Sequence, residues 1–108
     1  MEGLINEKKM LNGLVDYQEG SVVSRIIIQN DAGNITLFAF DSGQGLSEHT
    51  APFDAFVQVT EGTAEITSGG KTILVSAGEA MIMPGGIPHS LKATVKFKML
   101  LVMIKNKG

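Results

Sequence analysis

Gly78-Glu79-Ala80-Met81-Ile82-Met83-Pro84-Gly85-Gly86-Ile87-Pro88-His89 is the stretch whose reading decides the fold. A turn glycine opens it, an apolar run of strand length follows, and a Pro-Gly-Gly corner leads to one of only two histidines in the chain. Glycine reaches backbone angles that other residues avoid and proline fixes φ, so the corner is well specified. Such a turn aims a single imidazole back across a β-sheet.

The same punctuation continues on both sides. Runs rich in β-branched and aromatic residues occupy 21–29, 35–40, 55–60, 63–67 and 71–76 upstream, and 91–95 and 97–104 downstream. Between them lie Asn30-Asp31-Ala32-Gly33-Asn34, Asp41-Ser42-Gly43-Gln44-Gly45, Glu61-Gly62 and Ser68-Gly69-Gly70, all turn chemistry. Short strands recurring roughly every ten residues, with no long helical period, predict an all-β sandwich or barrel. Residues 11–17 read as a further short strand with Gly13 as a bulge. The expected organisation is an N-terminal arm over 1–10, one barrel domain over 11–104 and a frayed tail over 105–108.

The last strand carries apolar residues on both faces: Phe97, Met99, Leu101 and Met103 on one, Leu100, Val102 and Ile104 on the other. A strand apolar on both faces is covered on both. A second copy of the chain packed on the outer sheet is the simplest cover, so the expected assembly is a homodimer.

Composition narrows the function classes. The 108 residues are 44 % hydrophobic and 19 % charged, with a net charge of −2, and the pI is near 5.6. That balance fits one soluble globular domain and gives no electrostatic case for nucleic acid or an anionic membrane. Cysteine is absent, which excludes disulfides, thiolate metal sites and cysteine nucleophiles together. The N-terminal residues lack the apolar core of a signal peptide, and the expected location is the cytoplasm. The Gly43-Gln44-Gly45 turn is not followed by a helical pattern, so it does not read as a phosphate-binding loop.

The acid–base inventory is thin: two histidines, one tyrosine and ordinary carboxylates. Regular strand alternation sets Ser47 and His49 on one face and Glu48 on the other, so Ser47-Glu48-His49 is no catalytic triad by itself. Met81, Met83, Met99 and Met103 are flexible apolar fillers that would give a cavity a soft lining, with the histidines as its few polar groups.

Two stretches, Gly45 to Gly62 and Gly78 to Ala93, resemble the paired motifs of the cupin superfamily, small jelly-roll barrels. The second motif of that family runs Gly, five residues, Pro, any residue, Gly, two residues, His, three residues, Asn. Gly78, Pro84, Gly86 and His89 fall on those positions, and only Ala93 departs from Asn. In the first motif His49 aligns with the second histidine and Ser47 with the first, while the carboxylate position, counted back from Gly62, is Ala55 with Asp54 one residue off.

The resemblance implies an all-β, double-stranded β-helix barrel forming a single cupin domain. It also implies a divalent metal (nickel, zinc, manganese or iron) held by three histidines and a carboxylate, of which His49 and His89 remain. Asp54 reaches such a site only if a bulge near Pro52 reverses the strand phase, and Glu48 needs a similar distortion. The expected ligand pocket comprises Ser47, His49, Met81, Met83, His89 and Met99. Three functions follow from it: a barrel binding a small-molecule ligand, with or without a metal on a reduced ligand set; a metal-dependent oxygenase or isomerase; or a structural or regulatory module with a packed interior.

Overall fold

In a computed structural model that describes residues 2–106, nine strands follow one another in short steps. They are β1 (Val22–Asn30), β2 (Gly33–Phe40), β3 (Gly45–His49), β4 (Phe53–Glu61), β5 (Thr63–Ser68), β6 (Lys71–Ser76), β7 (Ala80–Met83), β8 (His89–Lys92) and β9 (Phe97–Lys105). Antiparallel pairing sorts them into a five-stranded sheet, β1-β2-β9-β4-β7, and a four-stranded sheet, β3-β8-β5-β6. The two form a jelly roll. Strands close in sequence, such as β7 and β8, lie in different sheets, so the chain crosses between layers at its Gly-rich corners.

Alternation along β9 explains where the core sits. Phe97, Met99 and Leu101 turn inward and are buried, opposite inward Val57 and Val59 of β4 and Phe38 and Phe40 of β2. Ala64, Ile66, Val75 and Leu91 of the smaller sheet complete this core. The Phe40 and Phe97 rings stack with centroids 4.5 Å apart. Gly62, at φ +74°, makes the tight turn from β4 to β5; a Cβ there would meet the Lys96 carbonyl oxygen at 2.3 Å.

Three local expectations are corrected. Residues 11–17 form no strand: Leu11–Leu14 is a single 3-10 turn, closed by the Gly13 N–H donating to the Met10 carbonyl at 3.0 Å. The turn lays Leu14, Val15 and Tyr17 against Leu37, Ala39 and Leu100 on the outer face of the larger sheet. Lys98, only 7 % exposed, ties it down by donating its ammonium to the Asn12 carbonyl at 2.5 Å. Burial of that apolar patch outweighs the weak strand propensity of a segment containing Gly13. The strand expected over 91–95 runs instead as His89–Lys92, because Ala93 exchanges backbone bonds with Gly43 and Gln44. The last strand ends one residue later than expected: Lys105 extends β9, and the Asn106 N–H donates to the Pro52 carbonyl at 3.0 Å. Residues 107 and 108, the rest of the expected tail, and Met1 of the expected arm lie outside the described residues. Among the described residues no helix is long and apolar enough to cross a membrane.

Candidate functional site

The two histidines meet between β3 and β8. β8 runs regularly, so His89 and Leu91 share the inner face. β3 does not: Leu46 pairs with Leu91 and His49 with His89, so three steps on β3 match two on β8. This bulge turns His49 onto the face that Leu46 already occupies. His89 is delivered by the corner before it. Gly86 sits at φ +77°, and its N–H donates to the Ala51 carbonyl at 2.9 Å. The Gly85 N–H donates to Asp54 Oδ1 at 2.8 Å, and a Cβ on Gly85 would approach the Phe53 carbonyl oxygen to 3.0 Å.

The imidazoles pack edge to face, centroids 4.3 Å apart, with the Nε2 atoms separated by 3.1 Å. His49 Nδ1 lies 2.8 Å from the Ser47 carbonyl oxygen, and His89 Nδ1 lies 3.3 Å from that of Ile87. Each carbonyl accepts only, so these two contacts and the one between the rings ask for three ring protons. Two neutral imidazoles carry two. His89 is 8 % exposed and His49 is open to solvent. Burial holds the His89 imidazolium below the usual histidine range, the Ile87 carbonyl opposes that shift, and repulsion from His49 adds to it. A neutral pair therefore leaves one of these three contacts without a proton.

Behind the pair lies a cavity of about 140 Å³. Leu46, Ala51, Phe53 and Leu91 line it together with the histidines, and Phe38, Ala55, Met83, Met99, Leu101 and Met103 complete its wall. Of the expected pocket residues, His49, Met83, His89 and Met99 come together here. Ser47 does not: the bulge puts it on an open outer groove with Glu48, Ser90 and Lys92. Met81 is inward but pairs with Val57, one inward step before Met83 on β7, and packs against the core outside the cavity lining. Leu101 and Met103 follow from the alternation of β9. Leu46 carries no such signal, because only the bulge brings it in.

The implied divalent metal was tested against these side chains. Ala55 turns inward where the carboxylate would stand, and Asp54 pairs with Ile104 on the outer face, its carboxylate engaged by Gly85 and by Asn106 Nδ2 at 3.3 Å. No group of three His, Cys, Asp or Glu side chains converges among the described residues. Hard and borderline divalent ions take more protein donors than two imidazoles, and here no oxygen donor is at hand. The side chains do not fit that metal centre.

The cupin domain model matches residues 36–105, from the second strand to the last. This chain is a cupin. A conserved protein of unknown function from Streptococcus pyogenes is 37 % identical, with 94 % of this chain and 90 % of that one covered and a TM-score of 0.89. A cupin 2 conserved barrel domain protein from Leptotrichia buccalis is 38 % identical at a TM-score of 0.85; the match covers 88 % of this cupin and 46 % of that chain. A cupin superfamily protein from Desulfitobacterium hafniense is 27 % identical over 96 % of both chains, with a TM-score of 0.90. Among curated proteins none matches this cupin. The family motif read around His89 thus belongs to a true cupin corner, while the first-motif positions Ser47 and Ala55 supply no metal donor to the cavity.

Proposed function

We infer that this cupin binds a small, mostly apolar molecule inside its barrel, with His49 and His89 as the polar contact at the opening. One observation carries the reading: the cavity of about 140 Å³ is walled by apolar side chains, and the histidine pair supplies its only ionisable groups. Ligand sites are built this way, an apolar enclosure with a few placed polar atoms. A buried apolar cavity of roughly 150 Å³ admits benzene. The oxygenase or isomerase reading needs a divalent metal, and the donor set argues against it.

Benzene and phenol are suitable probes, followed by melting temperature and by the methyl resonances of Met83, Met99 and Met103. The expected result is a saturable rise in melting temperature with shifts at those methyls. No rise and no shift at saturating benzene would leave the interior as packing alone.

The reading includes a second copy of the chain on the outer face of the larger sheet. The N-terminal turn covers Leu37, Ala39 and Leu100 on that face and leaves the half that carries Ile28, Phe56 and Ile82 exposed. Across the bare half the register aligns Ile28, Ile35, Val102, Phe56 and Ile82 in one row over all five strands. Ile28, Phe56 and Ile82 are 42 %, 41 % and 64 % exposed, and no charged side chain interrupts the row. A two-fold contact sets a patch against itself, so an uncharged apolar row meets its own image without like-charge repulsion.

A further inference from the structure

We propose that the cavity takes a monohydroxy compound, a phenol or small alcohol whose single O–H donates to the Nε2 atoms of His49 and His89. The inference rests on the barrel-binding reading of the preceding section and names the chemical class that the site favours. Each ring turns one nitrogen back to its own backbone. His49 Nδ1 lies 2.8 Å from the Ser47 carbonyl oxygen and His89 Nδ1 lies 3.3 Å from that of Ile87. The Nε2 atoms, 3.1 Å apart, are the ring nitrogens left to meet a ligand.

Proton bookkeeping decides what that ligand must bring. A neutral imidazole is a donor at one nitrogen and an acceptor at the other. With a proton on each Nδ1, the two Nε2 lone pairs face one another. With the proton of His89 on Nε2, its Nδ1 stands bare against the Ile87 carbonyl; with that of His49 on Nε2, its Nδ1 stands bare against the Ser47 carbonyl. However the protons are placed, like meets like somewhere, and a mismatched polar contact is costly where water is excluded. The Nδ1 atoms are closed off by their carbonyls, so an added donor acts at Nε2. A ligand hydroxyl there favours the first arrangement. Both carbonyls then receive an Nδ1–H, and the O–H is shared between the Nε2 lone pairs in a three-centre bond.

The same geometry turns other classes away. Ketones, ethers and fluoroarenes bring one more lone pair to a pair of acceptors. A second hydroxyl finds no partner, because the other side chains lining the cavity are hydrocarbon or thioether, Phe38, Phe53, Met83 and Met99 among them. Thioether sulfur accepts only weakly, and a buried hydroxyl without a partner is penalised. The volume of about 140 Å³ sets the size of the body at about one six-membered ring, since a cavity of roughly 150 Å³ admits benzene.

Calorimetric titration of the full chain at slightly alkaline pH, where both imidazoles are neutral, compares phenol, benzene, fluorobenzene and hydroquinone. Phenol is expected to bind about tenfold more tightly than benzene or fluorobenzene, the worth of one hydrogen bond. Hydroquinone should bind no better than benzene, and the preference for phenol should vanish in His49→Leu/His89→Leu while benzene still binds. Side-chain nitrogen-15 spectra of the parent protein need no variant: the phenol complex should show both histidines protonated at Nδ1 and bare at Nε2. Phenol no tighter than benzene, a preference that survives in the double variant, hydroquinone equal to phenol, or an Nε2 proton retained on either ring in the phenol complex would each overturn the proposal. Benzene binding without a preference for phenol removes the hydroxyl class alone; failure of all four compounds to bind removes the barrel-binding reading with it.

Discussion

Leu46 and His49 point into the same cavity although they stand three positions apart on one strand. In a regular strand that spacing puts two side chains on opposite faces. The bulge between them absorbs one residue, expels Ser47 and Glu48 to the outer groove and lets His49 reach His89. The site therefore depends on a local irregularity in β3 as much as on the residues it gathers.

Ala55→Leu fills the cavity from its wall. The added atoms occupy the space between Met83 and Met103, so the rise in melting temperature caused by benzene is expected to vanish while the barrel still folds. Calorimetric titration with benzene checks this; undiminished binding would place the ligand elsewhere.

Stability is expected to fall with acid because of His89. Its imidazolium is disfavoured in the folded state by burial, so below the ordinary histidine value of 6.5 the unfolded chain binds more protons than the folded one. Stability then rises with pH, is fully present above that value and is lost as pH falls through it toward the depressed folded value. Urea midpoints between pH 7.5 and 5 report the slope, and His89→Leu should flatten it. Equal slopes in both proteins would assign the acid sensitivity to other groups.

Lys98→Ala should release the N-terminal turn. The ammonium donates to the Asn12 carbonyl and lies 5.0 Å from the centre of the Tyr17 ring, so its loss removes a charged hydrogen bond and a ring contact together. A cost of about 2–3 kcal/mol is expected in urea unfolding. Benzene binding should persist, because the turn packs on the outer face and the cavity lies on the inner one.

Phe56→Lys places a charge within the apolar row and should convert a dimer to a monomer in sedimentation velocity. Leu74, 66 % exposed on the other sheet, is the control, and Leu74→Lys should leave the assembly unchanged. A parent protein that sediments as a monomer at tens of micromolar would remove the second copy from the row.

Much of the fold was legible because its determinants are local. Alternation in β9, turn residues between strands and the Gly78 to His89 corner each act within a few residues, and the structure reproduces them. The 11–17 segment was misread because its conformation answers to the apolar patch of Leu37, Ala39 and Leu100 beneath it. Ser47 was misplaced for a similar reason: nothing in Leu46-Ser47-Glu48-His49 marks a bulge, which arises from register against β8. Met81 and Met83 share one face of β7, and only the depth at which each meets the opposite sheet separates filler from cavity wall.

By itself the sequence determined an all-β chain of short strands, the corner that delivers His89 and a count of only two histidines and no cysteine. Periodicity, backbone preference and residue type settle those matters without reference to distant neighbours. The tertiary structure alone decided that His49 and His89 meet at 3.1 Å, that Ser47 turns away and that three methionines share their cavity. These depend on how strands far apart in the chain come into register, and a one-residue shift in register reverses the face of every side chain it touches.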